Sequence, residues 1–257
     1  MPGLAFGTRQ GLILSQNNLS SNSISYQKNR YALYYGWLIA DAPGNPNEAA
    51  IALANSIPKI LIANYYTQSP KLANLSTPVQ NLFRAQGTLI YAYVATTYGN
   101  RDIALVKAEA LEYITGGGVD GIFFDEAYNF MEGPNNHHLT YYQSLYSWMQ
   151  EQGRQTILNV GIGQPGERAM TATDILMVEH DWRNLYQNNT WFHNYSPERF
   201  MGISSNEAAG FFPYTVDETT AIRDTKEAWA HNVAWHYSTD LYTTLPSWFS
   251  TYIAGVQ

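Results

Sequence analysis

The chain has 257 residues, 45% of them hydrophobic, which is enough to bury one sizeable core. Its formal net charge is −7 and it has no run of lysine or arginine, which argues against a nucleic-acid partner. No segment approaches the roughly 18 continuous apolar residues of a membrane span, and the absence of cysteine excludes disulfides, thiolate metal ligands and a cysteine nucleophile.

The beginning of the chain differs from the rest. The stretch 15–29 is polar and rich in Asn and Ser, so residues 1–30 are predicted to form an N-terminal arm or loop outside the main domain. The N-terminus has no basic segment followed by an apolar one, and no signal peptide is therefore predicted in this chain.

From residue 31 onward, short apolar runs alternate with helical patterns. The runs are mostly continuous rather than alternating, which is typical of parallel strands covered on both faces. Eight predicted strands follow in order: Ala32–Ile39, Lys59–Tyr65, Thr88–Ala95, Val119–Asp125, Gln155–Val160, Asp174–Glu179, Arg199–Ser204 and Val233–Ser238.

Helical spacing of apolar residues appears between these runs, at 103–114, 139–149 and 221–229. Asp217 is a predicted N-cap for the last of these helices. Helices are expected to stop near three glycines, Gly87, Gly116 and Gly153.

The fold follows from the repeat. Strands that start near residues 33 and 233 give a repeat of about 29 residues, which suits a βα unit. Eight such units predict a single-domain (β/α)8 TIM barrel over residues 31–257. An open, doubly wound sheet uses the same units and is the alternative.

Carboxylates follow two of the apolar runs. Asp125 and Glu126 end the fourth predicted strand, and Glu179 ends the sixth. A carboxylate in this position costs free energy unless it faces a polar cleft, and catalytic groups of barrels come from the C-terminal ends of strands. Hydrolysis of a glycosidic bond needs one carboxyl to protonate the leaving oxygen and another to attack the sugar or activate water. These three residues are the candidate catalytic groups, although acidic residues also end strands as helix caps or salt-bridge partners.

Other polar side chains at predicted strand ends are candidate sugar contacts: Asn64, Tyr93, Asn159, Tyr237 and Asp240. No metal and no cofactor is predicted, because the histidines show no H-x-H or H-E-x-x-H spacing. The glycine-rich stretch 161–166 lacks the lysine of a P-loop and is interpreted as a plain βα loop.

The fourth predicted strand carries a recognisable motif. The segment 119–126 reads VDGIFFDE and resembles the corresponding segment of the spherulin-4 (spherulation-specific) family, which is related to glycoside hydrolase families 114 and 135. The stretch 89–101 resembles that family's GYVxTxYGxR segment. Asn159 and Glu179 fall at its NPG and fE positions, and 238–248 resembles its TD…Y..LPxyW segment. The resemblance covers about residues 31–257.

That resemblance implies a (β/α)8 barrel, catalytic acidic residues at Asp125, Glu126 and Glu179, and an extracellular or cell-surface location. Characterised members hydrolyse α-1,4-linked galactosamine or N-acetylgalactosamine polymers. This chain departs from the family where 65–70 reads YYTQSP instead of PxSGPG, where Val-Gly replaces Pro-Gly at 160–161, and where the strand-seven histidine is absent. These loops line the substrate cleft, so the departures bear on which sugar is bound.

Together these observations predict an endo-acting glycosidase on a hexosamine-containing or related polysaccharide. Asp125 is expected to act as nucleophile or base, Glu179 as general acid/base and Glu126 as a supporting carboxylate. Two alternatives remain open: a non-catalytic carbohydrate-binding barrel such as an adhesin or phage tail module, and a metal-dependent deacetylase or phosphodiesterase.

Overall fold

A computed structural model describes residues 29–40, 44–63, 72–129, 136–161, 165–179, 182–206 and 215–257. The strands within these ranges are β1 Asn29–Leu33, β2 Ile60–Ala63, β3 Leu89–Ala95, β4 Gly121–Asp125, β5 Gln155–Asn159, β6 Ile175–Val178, β7 Phe200–Ser205 and β8 Trp235–Thr239. The α-helices are α1 Glu48–Asn55, α2 Thr77–Arg84, α3 Ile103–Thr115, α4 His137–Glu151, α5 Trp182–Asn188, α6 Glu218–Ala230 and α7 Phe249–Gly255.

The eight strands form a closed parallel barrel in which each strand pairs with the next along the chain. The ring closes where β1 pairs with β8, with Asn29 opposite Trp235 and Arg30 opposite His236. Closure confirms the predicted (β/α)8 barrel and excludes the open, doubly wound sheet.

Tyrosine rings fill much of the barrel interior. Tyr31 on β1 reaches past β8, and its hydroxyl donates to the carbonyl of Gly202 on β7 at 2.9 Å. Its ring lies 5.7 Å from that of Tyr237, and Tyr91 donates across the interior from β3 to the side chain of Gln155 on β5 at 2.7 Å. Several of the chain's 20 tyrosines therefore serve the core, where a buried hydroxyl needs a hydrogen-bond partner.

The helices predicted from spacing are present as α3, α4 and α6. The carboxylate of Asp217 accepts from the backbone N–H of Thr220 at 2.8 Å, which confirms the predicted N-cap of α6. Gly87 and Gly153 follow α2 and α4 with φ of 76° and 67°, left-handed values that glycine adopts without strain.

The first strand is offset from its prediction of Ala32–Ile39: it starts at Asn29 and ends at Leu33. The chain then turns tightly against the segment after β8, where Tyr35 N–H donates to the Tyr242 carbonyl at 2.7 Å. A Cβ on Gly36 would lie 2.3 Å from the carbonyl oxygen of Thr243. The apolar run continues past the strand because this loop is itself largely buried.

The connection between β5 and β6 is also unlike the others. Its described part contains a 3₁₀-helix, Glu167–Thr171, in the place where a barrel unit has an α-helix. The predicted arm falls almost wholly on residues 1–28, which lie outside the described ranges. Among the described residues, no helix is long and apolar enough to cross a membrane.

Candidate active site

A cavity of about 420 Å³ opens at the C-terminal mouth of the barrel. Its walls come from the ends of β4, β5 and β6 and from the loops that follow β3, β4 and β5. The lining residues are Tyr98, Asp125, Glu126, Ala127, Tyr128, Asn129, Asn159, Val160, Gly161 and Glu179. The three predicted carboxylates therefore share one cavity.

One amide connects two of the carboxylates. Asn159 Nδ2 donates to Asp125 Oδ1 at 2.6 Å and to Glu179 Oε1 at 2.8 Å, and Asn159 Oδ1 accepts from the Gly161 N–H at 3.0 Å. Because both carboxylate oxygens bond the same nitrogen, they lie within about 5.5 Å of each other. Asn159 is itself buried at the inner end of the cavity wall, and its amide holds the two carboxylates together.

The environment raises the pKa of both carboxyl groups. Burial raises the pKa of Glu179 to about 7, with a further contribution from the nearby negative charge of Asp125. Burial also raises the pKa of Asp125, but hydrogen bonds from the Glu126 backbone, Tyr93 and Asn159 oppose the shift. Asp125 accepts more hydrogen bonds that favour its ionised form, so Glu179 is the member of the pair that holds a proton to higher pH.

Glu126 takes an unusual backbone conformation, with φ of 53°. Its carbonyl accepts from the Tyr98 N–H at 2.6 Å and from the hydroxyl of Thr96 at 3.0 Å, which ties the end of β4 to the loop after β3. Left-handed backbone in a glutamate is costly, and residues of this kind concentrate at functional sites. The turn places Glu126 in the cavity beside Asp125.

Two tyrosines, Tyr93 and Tyr35, form the surroundings of Asp125. Tyr93 on β3 is buried and its hydroxyl hydrogen bonds to the Asp125 carboxylate. The ring of Tyr35 packs edge-on against Tyr93 with centroids 5.4 Å apart, and its pKa is raised by burial and by the charge of Asp125. Tyr93 was predicted as a sugar contact, whereas the structure places its hydroxyl on a carboxylate.

Other predicted sugar contacts lie elsewhere. Tyr237 is buried in the barrel interior, and Asp240 follows β8 with its carboxylate accepting from the Leu241 N–H at 2.7 Å. Neither residue lines the cavity. Asn64 lies outside the described residues.

Sequence reasoning did not single out the aromatic walls of the cavity. Tyr98 and Tyr128 both line it. The available signals were the position of each residue a few places after a predicted strand end and, for Tyr98, its place in the family-like stretch 89–101. His138 packs against one of these walls: its ring stacks on that of Tyr128 with centroids 3.9 Å apart. Across the described ranges, no group of three or more His, Cys, Asp or Glu side chains is arranged to hold a metal ion.

The fold and the site together define a (β/α)8 barrel with a carboxylate cluster at its C-terminal mouth. The chain belongs to spherulation-specific family 4, whose model matches residues 45–256. No curated protein matches the sequence.

Several solved structures share the architecture. An endo-β-N-acetylglucosaminidase from Cordyceps militaris has a TM-score of 0.59 and 10% identity, covering 90% of this chain and 91% of its own. A chitinase from Bacteroides thetaiotaomicron has a TM-score of 0.57 and 11% identity, covering 89% and 95%. A chitinase of glycoside hydrolase family 18 from Pseudoalteromonas aurantia has a TM-score of 0.58 and 9% identity, covering 88% of this chain and 99% of its own. At these identities the similarity shows a shared barrel fold.

Proposed function

We propose that this protein is an endo-acting glycoside hydrolase on a galactosamine- or N-acetylgalactosamine-containing or related polysaccharide. The observation that carries the proposal is the Asp125–Glu179 pair, which shares one amide donor and has the pKa of Glu179 raised to about 7. Glycosidases need such a pair, with one carboxyl holding a proton and the other ionised.

The chemistry divides between the two groups. Glu179, whose pKa is raised to about 7, donates its proton to the glycosidic oxygen as the bond to the leaving sugar breaks. As a nucleophile, ionised Asp125 attacks the anomeric carbon; water, activated by the now deprotonated Glu179, then breaks the glycosyl–Asp125 bond and releases the sugar. As a base, Asp125 would instead activate water for direct attack on the anomeric carbon. Glu126 is the supporting carboxylate beside Asp125. The two carboxylate oxygens that share the Asn159 amide lie within about 5.5 Å of each other, which is compatible with the roughly 5–5.5 Å between the carboxyl groups of retaining enzymes and is shorter than the 6.5–9.5 Å or so of inverting ones. We therefore expect retention of the anomeric configuration.

The substrate class rests on two supports. The family resemblance implies a galactosamine polymer, and the structural neighbours are named as chitinases and an endo-β-N-acetylglucosaminidase, enzymes of other N-acetylhexosamine glycans. A polysaccharide substrate also fits an extracellular or cell-surface location.

A digest of a polysaccharide panel, read by mass spectrometry, tests the proposal. We expect oligosaccharide products from the wild type, including from α-1,4-linked galactosamine polymers. Asp125→Asn and Glu179→Gln keep size and hydrogen bonding but remove the charge or the transferable proton, so each is expected to slow hydrolysis by about 100- to 10,000-fold. Near-wild-type activity in both variants would show that the carboxylates are structural, and binding without any cleavage would identify a carbohydrate-binding barrel instead.

A further inference from the structure

The loop after β3 has an unusual backbone. Thr97, Tyr98 and Gly99 have φ of 50°, 56° and 77°, three successive residues in the left-handed region. Glycine adopts this conformation freely, but each of the other two pays a steric cost that persists only where surrounding contacts enforce it.

The contacts that enforce this conformation are made with the end of β4, the strand that carries Asp125. Thr96 N–H donates to the Asp125 carbonyl at 2.9 Å, and the Thr96 hydroxyl bonds the same carbonyl at 2.9 Å. Tyr98 N–H donates to the Glu126 carbonyl at 2.6 Å. At the far end, the guanidinium of Arg101 donates to the Ala95 carbonyl at 2.9 Å and pairs with Glu109. The backbone of Tyr98 is therefore held against the end of β4, beside Asp125 and Glu126.

Packing of the Tyr98 side chain does not offset the backbone strain of the loop. Tyr98 lines the cavity and is 56% exposed, and among the described aromatic residues only it and Trp37 have large exposed fractions. The second aromatic wall, Tyr128, already has one ring face covered by His138. The loop thus keeps a strained backbone conformation while the aromatic ring it carries stays uncovered at the mouth of an acidic cavity.

We propose that Tyr98 is a stacking subsite that receives the apolar face of a pyranose ring next to the Asp125–Glu179 pair. This inference rests on the proposed function, and it adds the residue that positions the polymer. Aromatic rings offer a rigid, amphipathic surface at low entropic cost, which suits the C–H face of a sugar whose hydroxyls point to water and to the cavity's polar groups.

Binding is measured by titration calorimetry in the Glu179→Gln background, where hydrolysis of the probe is slowed. The probes are an α-1,4-linked galactosamine tetrasaccharide and an N-acetylglucosamine tetrasaccharide. Tyr98→Ala is expected to weaken binding of at least one probe by about 10-fold or more, whereas Tyr98→Phe stays within about 3-fold because the ring face, not the hydroxyl, makes the contact.

Two glycine variants separate binding from stability. Tyr98→Gly removes the ring and also relieves the left-handed strain, so affinity falls as in Tyr98→Ala while the unfolding midpoint holds or rises. Thr97→Gly is the matched control, because it relieves the same kind of strain at an exposed neighbour that does not line the cavity. It is expected to keep wild-type affinity.

The outcomes distinguish this inference from the proposed function. Equal affinity in the background and in Tyr98→Ala, or no binding of either probe, overturns the stacking subsite even if the wild type cleaves a polysaccharide. Loss of affinity in Tyr98→Ala together with an inactive wild type supports the subsite and overturns the hydrolase. A fall in midpoint with unchanged affinity would assign Tyr98 a structural role.

Discussion

Glu179 retains a proton at a pH where an exposed glutamate has lost it. Burial raises its pKa from an ordinary 4.5 to about 7, so between these values the folded state binds a proton that the unfolded state releases. The free energy of unfolding contributed by this group therefore falls as pH rises from about 4.5 to 7, and the penalty is complete above that range. A carboxyl of this kind destabilises the folded protein at neutral and alkaline pH.

Glu179→Gln is expected to remove that penalty. The variant should be more stable than the wild type by on the order of 2 kcal/mol at pH 8, and equal to it near pH 4.5. Urea denaturation at several pH values measures the difference. Glu151→Gln, a change at an exposed position at the end of α4, is the control and should shift little at any pH. A Glu179→Gln variant less stable than the wild type at pH 8 would contradict the protonation assigned here.

Asn159 links the two carboxyl groups, and its hydrogen bonds lower the pKa of each. Asn159→Ala should raise both pKa values and release the spacing of the pair, moving the alkaline limb of the kcat/KM profile to higher pH and lowering kcat by about 10-fold or more. A sugar contact would behave differently, since its loss raises KM and leaves the limb in place. A pH–rate profile with separate kcat and KM values discriminates the two roles.

The carboxylates could be predicted from sequence because each ends or directly follows a buried strand, where an acidic side chain is costly without a polar cleft. The hydrogen-bond partners of Asp125 could not be predicted in this way. Tyr93 and Asn159 lie at strand ends, but their side chains bond carboxylates, which depends on the barrel's cross-interior geometry. The position of Tyr98 in the cavity depends on a loop conformation that no periodic sequence pattern encodes.

Among the strands and helices, the continuous apolar runs located most strands to within one or two residues. β1 was offset because Tyr34 and Leu38 are buried in a loop over the barrel mouth, and burial alone does not distinguish a strand from a packed loop. The β5–β6 connection was unpredictable for a related reason. A repeat length fixes the spacing of strands, but not whether an α-helix or the 3₁₀-helix Glu167–Thr171 covers them.

α6 offers a direct test of a predicted helix start. Asp217→Ala removes the acceptor for the Thr220 N–H and is expected to lower the free energy of unfolding, measured by urea denaturation. Asp217→Asn is the matched control, since asparagine keeps a capping oxygen. Activity should be unchanged in both, because this cap lies outside the cavity. An equal loss of stability in the two variants would indicate that charge rather than capping matters.

The barrel as a whole depends on β1, which closes the ring. β1 pairs with β2 on one side and β8 on the other, and Tyr31 also reaches across the interior to the carbonyl of Gly202. A parallel strand buried on both faces contributes hydrogen bonds and apolar burial that no neighbour can replace. Closure of the described barrel therefore requires the strand that begins at Asn29.

Two truncations test this boundary. Removal of residues 1–28 is expected to leave folding and activity intact, because that stretch lacks the βα pattern and the ring begins at Asn29. Removal of residues 1–33 deletes β1, exposes the edges of β2 and β8, and is expected to abolish cooperative unfolding. Circular dichroism melting curves and polysaccharide digestion measure both. If the shorter deletion also fails to fold, residues before Asn29 belong to the core; if the longer one folds and remains active, β1 is not required for closure.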